Sequence, residues 1–418
     1  MAKKVGPARA LDAGEGVVRL APTWVPRSFC TPGQRIRLHP DDYFALGPRR
    51  GGINERWLSS AVRADNGELT GPDEGLSMVV DPEGLVPFDE FVAAHGAALV
   101  GERLWRQYRR WPMYSKFFDN QRALPLHVHH RDHHAALVDK PGKPEAYYYP
   151  PQLNATLGEQ PISYLGLQPG TSKDRVLDRL KGFGRGGDNR ITDLSLGYRT
   201  QLGTGWDIPG GVLHAPASVC TYEPQADCDV FSMFESWSNE REVPEELLWK
   251  DIPGPRRGDH EFLVELLDWE ANVDPDFFAN RFMAPRPTVQ SRADGEDDYM
   301  EKWIVYRSPR FSAKELTVFP GRSVTITETD AYGAIVVQGR GTLGSFDVSA
   351  PTLIHYGELT QDELFVSAPA ASAGIRVTNT DPLESLVVLK HFGPGNEQLV
   401  ADRPTALVSA PDNGTGGR

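Results

Sequence analysis

A pair of histidines one residue apart, His127 and His129, sets the strongest constraint on what this chain can fold into. In a β-strand successive side chains alternate faces, so both imidazoles project from one side while Val128 turns to the other. Two imidazoles form a clamp that a divalent ion completes with further oxygen or nitrogen donors. Glu145 offers a carboxylate at the head of the aromatic, β-prone run Ala146-Tyr147-Tyr148-Tyr149, which puts it on a neighbouring strand. His214 is the fourth donor. The glycine-rich turn before it, Gly205 to Gly211, lets the chain reverse and point one imidazole inward. Five of the eleven histidines fall between His127 and His134. We read His127, His129, Glu145 and His214 as one metal site. His130, His133 and His134, beside Arg131 and Asp132, read as a solvated loop or helix start.

His-x-His, then Glu, then Pro-x-Gly-x-x-His (Pro209 to His214) resembles the two-part signature of the cupin superfamily. The long gap between His129 and Glu145, the Lys143-Pro144-Glu145-Ala146-Tyr147 wording and His214-Ala215 look like the type I phosphomannose isomerase group. Glu55-Arg56-Trp57-Leu58-Ser59-Ser60 is similar to that group's Glu-x-Trp-x-x-Ser strand, and Tyr114 to Asp119 to its lysine-containing strand. Tyr164 to Leu167, followed by Ser172-Lys173-Asp174, matches the strand and helix start between the motifs. The resemblance covers roughly residues 40 to 235. It implies a mainly β fold of two cupin (jelly-roll) β-barrels with a helical insertion and a connector. It also implies functional roles for Lys143 and Lys116 near the metal.

The chain departs from that group in three places. His127 stands where the first ligand is usually Gln, and Pro125 where Ser is usual. The group's catalytic Arg, shortly after the last ligand, has no counterpart: the matching run reaches Phe231 and Met233. Which of Asp227, Asp229 and Glu223 serves as a base stays open at this level.

Acidic residues outnumber basic ones 57 to 44, a net charge of −13, which argues against nucleic acid or an anionic membrane as partner, since both need a basic surface. Three cysteines, Cys30, Cys220 and Cys228, make no disulfide framework and suggest a reducing compartment. Cys220 and Cys228 read as strand residues. With no long apolar run, the expected location is cytoplasmic.

Along the chain, residues 1–20 read as a disordered N-terminus and 21–239 as a metal-binding cupin domain. Within the latter, Phe88, Phe91, Val92, Leu99, Val100, Leu104, Trp105 and Tyr108 recur at helical spacing and predict a helical insertion near 86–110, split at Gly96 and Gly101. Residues 240–297 read as a helical or irregular connector, 298–395 as a second cupin barrel lacking metal ligands, and 396–418 as a disordered tail. In the second barrel Pro369 to Gly374 repeats the spacing of Pro209 to His214 with Gly374 in place of the imidazole.

The expected cofactor is one divalent metal ion per chain, zinc first, with iron, manganese or nickel as alternatives. Three imidazoles and a carboxylate do not themselves choose among these ions. The expected partner is a small-molecule substrate, a sugar or sugar phosphate, acted on by a monomer or homodimer. The leading reading is an aldose–ketose isomerase working through an enediol. A metal-dependent oxygenase or lyase and a non-catalytic sugar-binding bicupin are the alternatives.

Overall fold

The computed structural model describes residues 9–154, 161–294 and 297–402. Seven strands form one antiparallel sheet, in the spatial order Phe282–Met283, Gly205–Ile208, Glu145–Tyr148, Cys220–Ala226, Met113–Asp119, Gly52–Leu58, Thr23–Arg27. A five-stranded sheet faces it, in the order Ser195–Arg199, Ile162–Leu167, Leu213–Ala215, His127–Val128, Ser232–Met233. These close the first barrel. The second is built on a nine-stranded sheet that includes Tyr299–Val305, Ser312–Val318, Leu386–Phe392, Tyr332–Gln338 and Glu363–Val366, opposed by a four-stranded one. Among the described residues no helix is long and apolar enough to cross a membrane.

The seven-stranded sheet is buried on both faces. Every residue of Met113–Asp119 and Cys220–Ala226 is buried. Alternation then divides them: Met113, Phe117, Cys220 and Tyr222 join an apolar core shared with the second barrel, while Lys116, Phe118 and Glu223 line the first barrel's interior. The seam between the barrels also carries polar links. Arg56 Nη1 and Nη2 donate to the two carboxylate oxygens of Asp362 at 2.7 and 2.8 Å, and Nη2 also reaches Glu363 at 3.2 Å. The Tyr148 hydroxyl donates to Glu315 at 2.7 Å.

The N-terminus corrects the sequence expectation. Val17–Ala21 is a strand of the nine-stranded sheet, with Val17 opposite Val366 and Val18 opposite Phe365. Its apolar side chains complete the second barrel's core, so only residues 1–8 of the expected disordered segment lie outside the described residues. At the other end Glu397–Ala401 is a helix capped by Asn396, whose side chain accepts from Leu399 N at 3.1 Å. Residues 403–418 lie outside the described residues.

The aromatic stripe forms three short helices, Phe88–His95, Ala97–Val100 and Glu102–Tyr108, broken where Gly96 and Gly101 adopt φ of 53° and 87°. Helices of the connector pack Leu248, Phe262 and Leu263 against Val128, Leu213 and Met233 of the five-stranded sheet. In the second barrel Pro369 to Gly374 is no structural repeat of Pro209 to His214. Ser367 caps a helix, Ala368–Ala373, and Gly374 ends it. Cys228 also differs from its reading, lying beyond the strand that contains Cys220; both are buried free thiols.

Removing one partner of a buried ion pair leaves the others charged and unsolvated. Arg56→Ala should therefore destabilise the chain by about 3–5 kcal/mol in denaturant unfolding. A loss below about 1 kcal/mol would mean that the guanidinium does not hold the seam.

Candidate metal centre

Register brings the four sequence-predicted ligands together. His214 on Leu213–Ala215 sits directly opposite His127, and Leu213 opposite Val128. Glu145 opens the strand on the facing sheet, paired with Ile208 and Gln225. One donor atom from each of His127, His129, Glu145 and His214 lies within 4.8 Å of the others, and all four residues are buried. The three rings stand 4.2 to 5.1 Å apart between centroids.

The imidazoles are held in one tautomer. His127 Nδ1 lies 2.8 Å from the Pro125 carbonyl, His129 Nδ1 2.7 Å from that of Val230, and His214 Nδ1 2.8 Å from that of Val212. A carbonyl only accepts, so each Nδ1 carries the hydrogen and each Nε2 presents a lone pair. Those lone pairs meet a carboxylate. His129 Nε2 lies 2.8 Å from Glu145 Oε2, and His214 Nε2 lies 3.1 Å from Glu145 Oε1.

Burial pushes the His129 imidazolium down to about 3 and also holds His127 well below its ordinary value, with the neighbouring His214 adding to it. Burial acts to raise Glu145, but His129 and Lys143 outweigh it and hold the carboxyl well below its ordinary range. Neutral rings and a carboxylate are all acceptors. His214 Nε2 and both Glu145 oxygens accordingly have no hydrogen-bond partner. This donor set fits a divalent cation, and the backbone carbonyls on Nδ1 are the outer contacts that orient histidine ligands.

Both sequence-predicted lysines line the same pocket. Lys143 lies just before its strand, and Pro144 does not turn it away: Nζ is 3.1 Å from His129 Nε2 and 3.2 Å from Glu145 Oε2. Lys116 Nζ lies 3.0 Å from Glu223 and 3.7 Å from Glu55. Burial lowers Lys116, but the charges of Glu223, Glu55 and Glu145 outweigh it and keep the amine protonated.

The three carboxylates left open by the sequence separate cleanly. Asp227 pairs with the half-exposed Arg110. Asp229 is clamped by Arg27, which overrides burial and holds it ionised. Glu223 faces the pocket, where burial, reinforced by Glu145, pushes it up to about 8.

Arg27 was not among the sequence candidates. Its Nε donates to Glu55 at 3.1 Å, Nη1 to Asn66 at 2.9 Å and Asp229 at 3.1 Å, and Nη2 to Glu55 at 3.3 Å and Asp229 at 3.2 Å. With all five N–H groups engaged, this guanidinium orders the pocket's carboxylates and has no donor left for a substrate. It enters the pocket that the Asp227 to Met233 segment leaves without an arginine, but in a different role.

His130 and His134 depart from their expected solvation. Helix Asp132–Ala135 begins there, yet His130 is buried with Nε2 3.0 Å from the Ser232 hydroxyl, and His134 is buried against Phe262. Of the three, only His133 is exposed.

No family model and no curated protein matches the chain. Solved structures do. The mannose 6-phosphate isomerase of Bacillus subtilis aligns at 16% identity with TM-score 0.58, over 90% of this chain and 99% of that one. A point mutant of the phosphomannose isomerase of Salmonella typhimurium aligns at 10% and 0.60, over 91% and 100%. A zinc-bound mannose 6-phosphate isomerase aligns at 10% and 0.61, over 91% and 100%. The chain therefore has the fold of these enzymes over nearly its whole length.

His129→Ala and His214→Ala should each remove about one bound divalent ion per chain, measured by elemental analysis, because each deletes a ligand and leaves too few donors. Undiminished metal in both variants would refute the assignment.

Proposed function

We propose that the chain is a metal-dependent isomerase that interconverts an aldose and a ketose, a sugar or sugar phosphate, through an enediol. One observation carries the reading. Three imidazole Nε2 atoms and a carboxylate converge beside two lysines and a protonatable glutamate, in the fold of mannose 6-phosphate isomerases. His127, His129, Glu145 and His214 would hold the ion, zinc in the first instance. Bound there, it would polarise the carbonyl and hydroxyl oxygens at the sugar's first two carbons.

The chain's own groups carry the protons. Glu223, raised toward neutrality, is the proposed acid–base residue, taking a proton from one carbon and returning it to the other. Lys143, beside Glu145, and Lys116, beside Glu223, are proposed to steady the negative charge that develops on the oxygens. The buried Phe118, Tyr147 and Phe231 restrict water around the reacting carbons.

The third imidazole, His127 in place of Gln, favours a second reading, an iron(II)-dependent oxygenase. The two are separated by supplying aldoses, ketoses and their phosphates to zinc-loaded protein in deuterated water. Isomerisation predicts interconversion with deuterium entering at the first or second carbon, and Glu223→Gln should slow it by roughly 10²–10⁴-fold with metal retained. No exchange with any sugar, together with oxygen uptake that requires iron(II), would replace the isomerase with the oxygenase.

A further inference from the structure

We propose a second divalent-metal site at the seam between the barrels, formed by His39, Asp42 and His355. The backbone fixes its parts. Leu38 bridges Ile354 in parallel, with His39 N donating to the Ile354 carbonyl and Ile354 N to that of Arg37, both at 2.8 Å. His39 and His355 therefore stand side by side, their rings stacked at 4.2 Å and 23°. Asp42 closes the 3₁₀ turn Pro40–Asp42, and its Oδ2 accepts from the Tyr356 N–H and lies 3.0 Å from His355 Nδ1.

The chemistry of the cluster suits a borderline divalent ion such as zinc, nickel or copper(II). One donor atom from each of the three residues lies within 4.8 Å of the others. An ion would take the place of the proton between His355 Nδ1 and Asp42 Oδ2, so that both atoms, 3.0 Å apart, turn lone pairs to it. His39 Nδ1 accepts only a long 3.3 Å bond from Asp41 N, which an ion can displace. The His355 side chain is 63% exposed, so water would fill the ion's remaining positions. Such an ion would staple the first barrel's loop to the second barrel's at a point remote in sequence from the catalytic centre, and it does not rest on the isomerase reading.

The test is equilibrium dialysis of the full chain against zinc, with metal per chain read by elemental analysis. The expected stoichiometry is two for the native chain, one for His355→Ala, one for His214→Ala and none for the double variant. Zinc should also raise the melting midpoint of His214→Ala but not of the double variant. Should His355→Ala fold poorly, His39→Gln gives the same reading. A native stoichiometry of one that His214→Ala abolishes, or two ions retained in both seam variants, would overturn the proposal.

Discussion

The structure depends on one sheet buried on both of its faces. The seven-stranded sheet cannot use the usual polar-out pattern, because one face covers the second barrel and the other lines a pocket. Strand alternation separates the two jobs residue by residue. Tyr148 and Tyr222 support the seam, while Glu145, Tyr147 and Glu223, on the opposite face, point at the candidate site. A one-residue slip of any of these strands would exchange the sets, placing carboxylates in the apolar seam. The second barrel thus acts on the site by fixing the register of the sheet that carries it.

On the pocket side the charges are arranged so that none is buried alone. Arg27 neutralises Glu55 and Asp229, Lys116 meets Glu223 and Glu55, and Lys143 meets Glu145. The exception is the centre itself, where His214 Nε2 and both Glu145 oxygens, all buried acceptors, have no hydrogen-bond partner. Buried acceptors in that arrangement repel unless a cation lies between them. The second barrel shows the contrast: its buried Lys314 and Lys390 are paired with Glu301 and Glu328.

Much of the centre was legible in the sequence because its logic is local. The His127 and His129 pair was read from alternation, although the strand itself ends at Val128, and Glu145 heads a β-prone run that forms a strand. His214 ends a turn that glycine permits. The two barrels follow from the resemblance that those motifs carry. What escaped depends on long-range packing. Arg27 finds its partners 28 and 202 residues away, so nothing near it in the chain marks it as part of the pocket. Val17–Ala21 is a strand only because the second barrel's sheet, at Glu363–Val366, is there to pair with it. His130 and His134 looked solvated beside Arg131 and Asp132, but the connector helices that bury His134 lie more than a hundred residues on. Pro369 to Gly374 misled in the opposite sense: its spacing matched a motif, while its alanines and the Ser367 cap made a helix.

The central claim is that His127, His129, Glu145 and His214 hold one divalent ion between the sheets. Anomalous diffraction from crystals of the zinc-loaded chain tests it most directly. The account predicts a zinc peak about 2.0–2.1 Å from the Nε2 atoms of His127, His129 and His214 and about 2.0–2.2 Å from a Glu145 oxygen. Crystals with zinc in solution but no peak at that position, and the Lys143 ammonium resting against Glu145 and His129 instead, would contradict it.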